Sequence, residues 1–217
     1  MIKVECFPLG ELQANCYFVY DREQKTGLLI DPGDRSKRLE DRIRLMIGNG
    51  LQYILLTHGH FDHIDGVASM KRAFPEAKIV IGTPDADYPA LQELNLAEHF
   101  GWNIEPFTAD ITVNDNDTLP FGTQEILVLS TPGHTKGSVC YRLGEDFLFT
   151  GDTLISGTTG RTDFPTGSPV EMYHSIVRLA QLEGNPIVYS GHGKASTLEN
   201  ERRTNLFIRK YVYDDIY

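Results

Sequence analysis

Short apolar stretches separated by Gly, Asn and Asp open the chain. Ile2 to Phe7, Cys16 to Tyr20 and Thr26 to Ile30 are rich in β-branched and aromatic residues, which predicts three strands joined by turns. From Lys37 to Ile47 the spacing changes: Leu39, Ile43, Leu45, Met46 and Ile47 fall among Arg, Glu and Asp at helical intervals, and Gly48-Asn49-Gly50 ends the element. A strand over Leu51 to Leu56 follows. Ile64, Val67, Ala68 and Phe74 then mark a second helix closed by Pro75, and Lys78 to Ile81 returns to strand. Leu91, Leu94 and Leu96 predict helix within Pro84 to Phe100, read as a lid or covering segment.

The second half repeats the theme. Strands are expected near Thr118 to Phe121, Glu125 to Ser130, Val139 to Leu143 and Phe147 to Thr150, then a helix from about Val170 to Leu182, a strand over Ile187 to Ser190 and a terminal helix. The aromatic tail Tyr211 to Tyr217 is expected to pack on its own domain. Hairpin-like strands combined with strand-helix alternation predict two sheets with helices outside, in one domain spanning residues 1–217.

Charge narrows the partners. With 30 acidic against 20 basic side chains, the net charge of −10 repels phosphate backbones and anionic membranes, so neither nucleic acid nor a membrane is an expected partner. No apolar run approaches the ~18 residues of a membrane span, and the Met1-Ile2-Lys3-Val4-Glu5 start lacks a signal-peptide pattern, so a cytoplasmic protein is expected. Cys6, Cys16 and Cys140 are odd in number and lack C-x-x-C spacing, which excludes a disulfide framework and reads them as small core residues, Cys140 nearest the chemistry.

The chemistry lies in Thr57-His58-Gly59-His60-Phe61-Asp62-His63, three imidazoles and a carboxylate directly after an apolar strand. Clustered imidazoles repel when protonated and lack partners when buried and neutral, a cost that a bound metal removes. Neutral imidazole and carboxylate suit zinc, iron and manganese. The same strand-turn-ligand pattern recurs three times: Leu127 to Thr131 runs into Gly133-His134-Thr135, Phe147 to Thr150 into Gly151-Asp152-Thr153, and Ile187 to Ser190 into Gly191-His192-Gly193. His99 and His174 lack that setting and are assigned to surface or helix packing.

As a set, the Thr-His-x-His-x-Asp-His run, Gly-His134-Thr, Gly-Asp152-Thr and Gly-His192-Gly resemble the metallo-β-lactamase superfamily, and most its glyoxalase II (hydroxyacylglutathione hydrolase-like) branch. Leu29-Ile30-Asp31-Pro32-Gly33 and Gly160-Arg161-Thr162-Asp163-Phe164 extend the likeness along the chain. The resemblance implies an α/β fold, a four-layer αββα sandwich. It also implies a two-metal site, zinc first with iron or manganese as alternatives, in which His58, His60 and His134 hold one ion. Asp62, His63 and His192 would hold the second, with Asp152 bridging, Asp31 organising the site from outside, and Arg161 in the substrate-facing loop. The implied activity is hydrolysis of a small-molecule thioester of the S-2-hydroxyacylglutathione type by a metal-bound hydroxide, with Asp152 and Asp62 as catalytic carboxylates and Asp62 orienting the hydroxide or taking its proton.

Two departures touch the substrate. Asp163 stands where glyoxalase II enzymes present a tyrosine, and the chain ends at Tyr217, soon after His192, where those enzymes continue into a helical glutathione-binding region. The Gly160 to Phe164 motif is also similar to persulfide dioxygenases, which would use one iron on His58, His134 and Asp152. A non-catalytic metal-binding protein is the remaining alternative. A β-lactam hydrolase fits less well, because Asp152 stands where those enzymes carry cysteine or serine.

Overall fold

The structure is a computed structural model and describes residues 1–213. β1 (Ile2–Leu9), β2 (Ala14–Asp21) and β3 (Thr26–Ile30) form an antiparallel meander with Phe7 opposite Cys16 and Tyr17 opposite Ile30. α1 (Lys37–Ile47) carries the chain over to β4 (Leu51–Leu55), parallel to β3; α2 (Phe61–Ile64) and α3 (Val67–Ala73) lead to β5 (Lys78–Gly82), and β6 (Ile111–Val113) closes a six-stranded sheet ordered β1-β2-β3-β4-β5-β6.

The second sheet begins as a meander of β7 (Thr118–Phe121), β8 (Gln124–Ser130), β9 (Val139–Leu143) and β10 (Phe147–Gly151). After a small hairpin, β11 (Leu154–Ile155) with β12 (Thr158–Thr159), α4 (Pro169–Ala180) crosses to β13 (Ile187–Ser190), which lies parallel to β10 and carries β14 (Ser196–Thr197) at the edge. α5 (Leu198–Thr204), α6 (Leu206–Ile208) and a wider helical turn over Arg209–Tyr213 follow.

All eight residues of β2 are buried, which is why that strand reads as a continuous apolar run. Its side chains alternate between two cores: Cys16, Phe18 and Tyr20 pack with Leu39, Ile43 and Ile47 of α1, while Tyr17 and Val19 meet Tyr141 and Phe149 of the other sheet. A third core joins Leu148 and Val188 to Met172, Ile176 and Leu179 of α4. Three apolar layers therefore separate helix, sheet, sheet and helix, the αββα sandwich. The helices start where capping chemistry places them: Ser36 accepts from the Leu39 N–H at 3.2 Å and Ser168 from the Glu171 N–H at 3.3 Å.

Several expectations are corrected. Pro84 to Phe100 contains no α-helix; it forms two 3₁₀ turns, Thr83–Asp85 and Tyr88–Ala90, followed by irregular backbone. Pro84 and Pro89 lack the N–H that a helix interior would use. The second helix is split into α2 and α3, because the Gly66 N–H turns aside to Pro32 O at 2.8 Å. The short strand β6 and the two-residue strands β11, β12 and β14 were below what the pattern resolves. Cys6 is exposed on edge strand β1 and is not a core residue. Cys140 is core: its thiol lies 3.4 Å from Thr131 Oγ1, and burial pushes it up to about 12. Tyr211 and Val212 pack on the α4 side of the second sheet; the rest of the expected tail, residues 214–217, lies outside the described residues. Among the described residues no helix is long and apolar enough to cross a membrane.

Strand direction positions everything that follows. β3, β4 and β5 are parallel, β10 and β13 are parallel, and β8 shares the direction of β10 because both are antiparallel to β9. The turns after the C-terminal ends of β3, β4, β8, β10 and β13 carry Asp31, His58, His134, Asp152 and His192.

Candidate metal centre

Each strand delivers its candidate side chain with a local device. Asp31 follows β3 in the left-handed region at φ 51°, a conformation Asp tolerates better than most residues, and its N–H donates to Leu55 O at 3.0 Å. That turn aims the carboxylate at the loop after β4. Asp31 Oδ1 accepts from the Thr57 N–H at 2.8 Å, and Oδ2 accepts from Thr57 Oγ1 at 2.6 Å and lies 3.0 Å from His63 Nδ1. Gly151, at φ 48°, leaves room for Thr57, whose side chain a Cβ there would overlap.

The histidines are fixed through one ring nitrogen each. His58 Nδ1 lies 3.0 Å from Thr57 Oγ1, His63 Nδ1 faces Asp31, and His134 Nδ1 lies 2.7 Å from the Arg161 carbonyl, which obliges it to donate. Nε2 of His58, His60 and His63 and Oδ1 of Asp152 are buried with no hydrogen-bond partner.

Two sets of donors able to hold a metal emerge, each with its ligand atoms within 4.8 Å of one another: His58, His60 and His134, and Asp62, His63 and His192. His60 Nδ1 is 2.9 Å from His134 Nε2. His192 Nε2 is 3.3 Å from Asp62 Oδ2. Asp152 lies between the sets, Oδ1 at 3.6 Å from His63 Nε2 and Oδ2 at 3.6 Å from His134 Nε2 and 3.7 Å from His192 Nε2. Asp31, His58 and His63 also meet the distance criterion, but both Asp31 oxygens already accept hydrogen bonds from the protein.

The charges are arranged for a cation. Desolvation first, and then the neighbouring imidazoles, hold His58 and His60 well below the ordinary histidine range, so both are neutral and offer lone pairs at pH 7. Burial also opposes charge on His63, but Asp62, Asp152 and Asp31 outweigh it and push the ring up to about 10. His192 is raised against its desolvation by the hydrogen bond to Asp62. Burial would raise Asp62, yet His63 and His192 drive it well below the usual carboxylate range. The second set therefore draws positive charge, and unpaired buried donors of this kind fit divalent metal ions.

One residue escaped the sequence reading. Asp85, fully buried in the 3₁₀ turn after β5, accepts from the Gly59 N–H at 3.1 Å, Thr135 Oγ1 at 2.6 Å and the Gly137 N–H at 2.8 Å. It ties the loop of His58 and His60 to the loop of His134. Desolvation pushes its carboxyl up to about 6, against those three hydrogen bonds. The signal was present, since Asp85 follows an apolar strand and a Gly-Thr-Pro turn just as Asp31 and Asp152 follow theirs.

Arg161 is placed at the mouth of the site, but not as a free cation. Its guanidinium is bonded through Nε and Nη2 to the two oxygens of Asp163, both at 2.7 Å, and lies 4.1 Å from the Phe164 ring centroid. His99 lines the same cleft, whereas His174 lies on α4 against Tyr173, away from the ligands.

The chain is similar to several known proteins. Hydroxyacylglutathione hydrolase GloC of Haemophilus influenzae is 34% identical over 212 residues, covering 95% of this chain and 98% of that protein. The mitochondrial persulfide dioxygenase ETHE1 of Mus musculus is 30% identical over 195 residues, 87% of this chain and 69% of that one. Among solved structures, the B3 metallo-beta-lactamase BLEG-1 superposes with a TM-score of 0.88 at 32% identity over 96% of this chain and 99% of its own. TTHA1623, in a di-iron-bound form, gives 0.81 at 34% identity over 94% and 100%. The family model of the metallo-beta-lactamase superfamily matches residues 9–192, from β1 to the last of the histidines described above, and the chain belongs to that superfamily.

Proposed function

We propose that this chain is a metal-dependent hydrolase of small-molecule thioesters of the S-2-hydroxyacylglutathione type. The observation that carries the reading is the pair of adjoining donor sets, His58, His60 and His134 and Asp62, His63 and His192, together with the buried, unpartnered atoms on His58, His60, His63 and Asp152. His58, His60 and His134 would hold one divalent ion and Asp62, His63 and His192 the other, with Asp152 between the two sets. Zinc is the first candidate, and iron, as in the di-iron neighbour, or manganese the alternatives. Such ions supply a water whose pKa is lowered towards neutrality and a Lewis acid for the thioester carbonyl.

The chain's own residues do the positioning. Asp31 fixes the ring of His63 and the Thr57 backbone beside His58, and Asp85 holds the two ligand loops together. Asp62 would orient the attacking water by accepting its hydrogen bond, or take its proton. The leaving thiolate needs no strong general acid. Arg161 meets a substrate carboxylate only by giving up Asp163.

The relationship to ETHE1 keeps a mononuclear iron dioxygenase on His58, His134 and Asp152 as the second reading. The complete second donor set of Asp62, His63 and His192 favours the hydrolase, because a one-metal oxygenase would leave it idle. Metal analysis of purified protein, joined to S-lactoylglutathione hydrolysis under air and under argon, decides between them. Two metals per chain with oxygen-independent turnover is the expected result. One iron, no hydrolysis and oxygen uptake with glutathione persulfide would transfer the assignment to the dioxygenase.

A further inference from the structure

Two clefts of opposite character flank the ligand cluster. The smaller, with a volume of about 110 Å³, is walled by Leu12, Phe61, Phe100 and Trp102 and reaches Asp62; among the described residues, the charged ones lining it are all acidic, Glu11, Asp34 and Asp62. The larger, about 550 Å³, holds Glu93, Glu98, His99, Arg161 and Asp163 along one apolar side formed by Leu96, Phe164 and Pro165. Aromatic rings run from the ligands into the small cleft: His60 to Phe164 at 5.8 Å between centroids, Phe164 to Phe100 at 6.4 Å, Phe100 to Phe61 at 5.5 Å and Phe61 to Trp102 at 5.9 Å. Trp102 is anchored by its Nε1–H on Asp65 Oδ2 at 3.2 Å, whereas Phe100 is 49% exposed, an apolar ring left facing solvent.

Size and charge assign the two clefts to different parts of one substrate. A recess near the ~150 Å³ that accommodates benzene suits one ring, and its acidic rim repels a carboxylate. The large cleft, with groups of both signs, suits a zwitterionic peptide thiol. Resting on the thioesterase reading above, we infer that the small cleft selects the acyl side, so that the substrates are glutathione thioesters of aromatic or bulky apolar 2-hydroxy acids rather than of lactate. The phenyl ring stacks between Phe100 and Trp102 while the scissile carbonyl stays beside Asp62 and Asp152.

Two measurements test this on the metal-loaded full chain. The first compares kcat/KM for S-mandeloylglutathione and S-lactoylglutathione, which differ by phenyl against methyl on the same carbon. The second titrates S-benzylglutathione and S-methylglutathione, which do not turn over, against the fluorescence of Trp102, the chain's single tryptophan. The aromatic member is expected to lead each pair by about tenfold or more, the worth of burying a ring in place of a methyl group. Phe100→Ala should bring both ratios to within about twofold of unity, because it removes one wall of the recess. Selective binding of the benzyl ligand with no hydrolysis of either thioester would uphold the recess and remove the thioesterase reading. Ratios near unity in the wild-type protein, or ratios that Phe100→Ala leaves unchanged, would overturn the inference.

Discussion

Gly191→Ala probes the ligand cluster without altering any charge. A Cβ at this position would overlap Asp152 Oδ1 and lie 2.7 Å from His63 Cε1. Carbon atoms in contact sit at about 3.5 Å, so the His63 ring has to retreat by about 0.8 Å and the Asp152 oxygen by more. Residue 191 cannot retreat instead: its N–H donates to Gly151 O and its carbonyl accepts from the Asn15 N–H, both at 2.7 Å. Metal ligands tolerate displacements of only ~0.2 Å. Without metal, Asp152 is free to yield and the His63 ring is held only by Asp31; with metal both are held as ligands too, so the larger share of an overpacking strain of about 1–3 kcal/mol falls on the loaded state. That corresponds to a loss of roughly tenfold to a hundredfold in metal affinity. Competition against a chromophoric chelator with Zn²⁺ or Co²⁺ measures it, beside thermal unfolding of the metal-free protein. Wild-type affinity in the variant, or equal destabilisation of the metal-free and loaded forms, would refute the reasoning.

Asp31→Ala removes three hydrogen bonds to Thr57 and His63, and metal affinity should fall about 10- to 100-fold as for other partners that orient ligands; unchanged chelator competition would contradict it. Asp85→Asn tests the buried carboxyl in the metal-free protein. Its folded value of about 6 exceeds the ordinary 3.8, so its contribution to stability is full below pH 3.8 and is lost as pH rises through 6. The stability of wild type relative to the variant should therefore grow by about 2 kcal/mol from pH 7 to pH 4 in denaturant titrations, and a flat difference would show that burial does not perturb the group. Asp163→Ala frees the Arg161 guanidinium, and KM for S-lactoylglutathione should drop severalfold with kcat unchanged, whereas a raised KM would mean that the pair holds the loop in its working position.

Most of the framework is written in local pattern. The α1 span Lys37–Ile47 and the strands Val139–Leu143 and Ile187–Ser190 match the sequence reading residue for residue, since each has a clear period and a clear breaker. The failures share a cause. Pro84 to Phe100 has leucines at near-helical spacing, but its order comes from elsewhere: Asp85 caps other loops, Asn95 O accepts from the Phe61 N–H, and Tyr88 is buried against Gly59. Such bonds span tens of residues and leave no periodic trace.

The candidate ligands were legible in the order of residues along the chain. A buried cluster of imidazoles carries a desolvation cost that a metal relieves, and Gly-bearing turns after apolar strands mark where single candidate ligands stand. Their grouping did not. Which donors share an ion, which oxygen of Asp152 faces which histidine, and how Asp31 locks His63 follow from five strands ending at one edge between two sheets, a juxtaposition made only when the sheets pack. The same holds for charge. From sequence, Arg161 is open between a substrate-facing cation and a salt bridge to Asp163 in the same loop, and it is the loop's conformation that delivers it to Asp163 and Phe164. Local chemistry names the parts because ligand preference is a property of side chains; distance, burial and neighbouring charge decide their use, and those exist only in the folded chain.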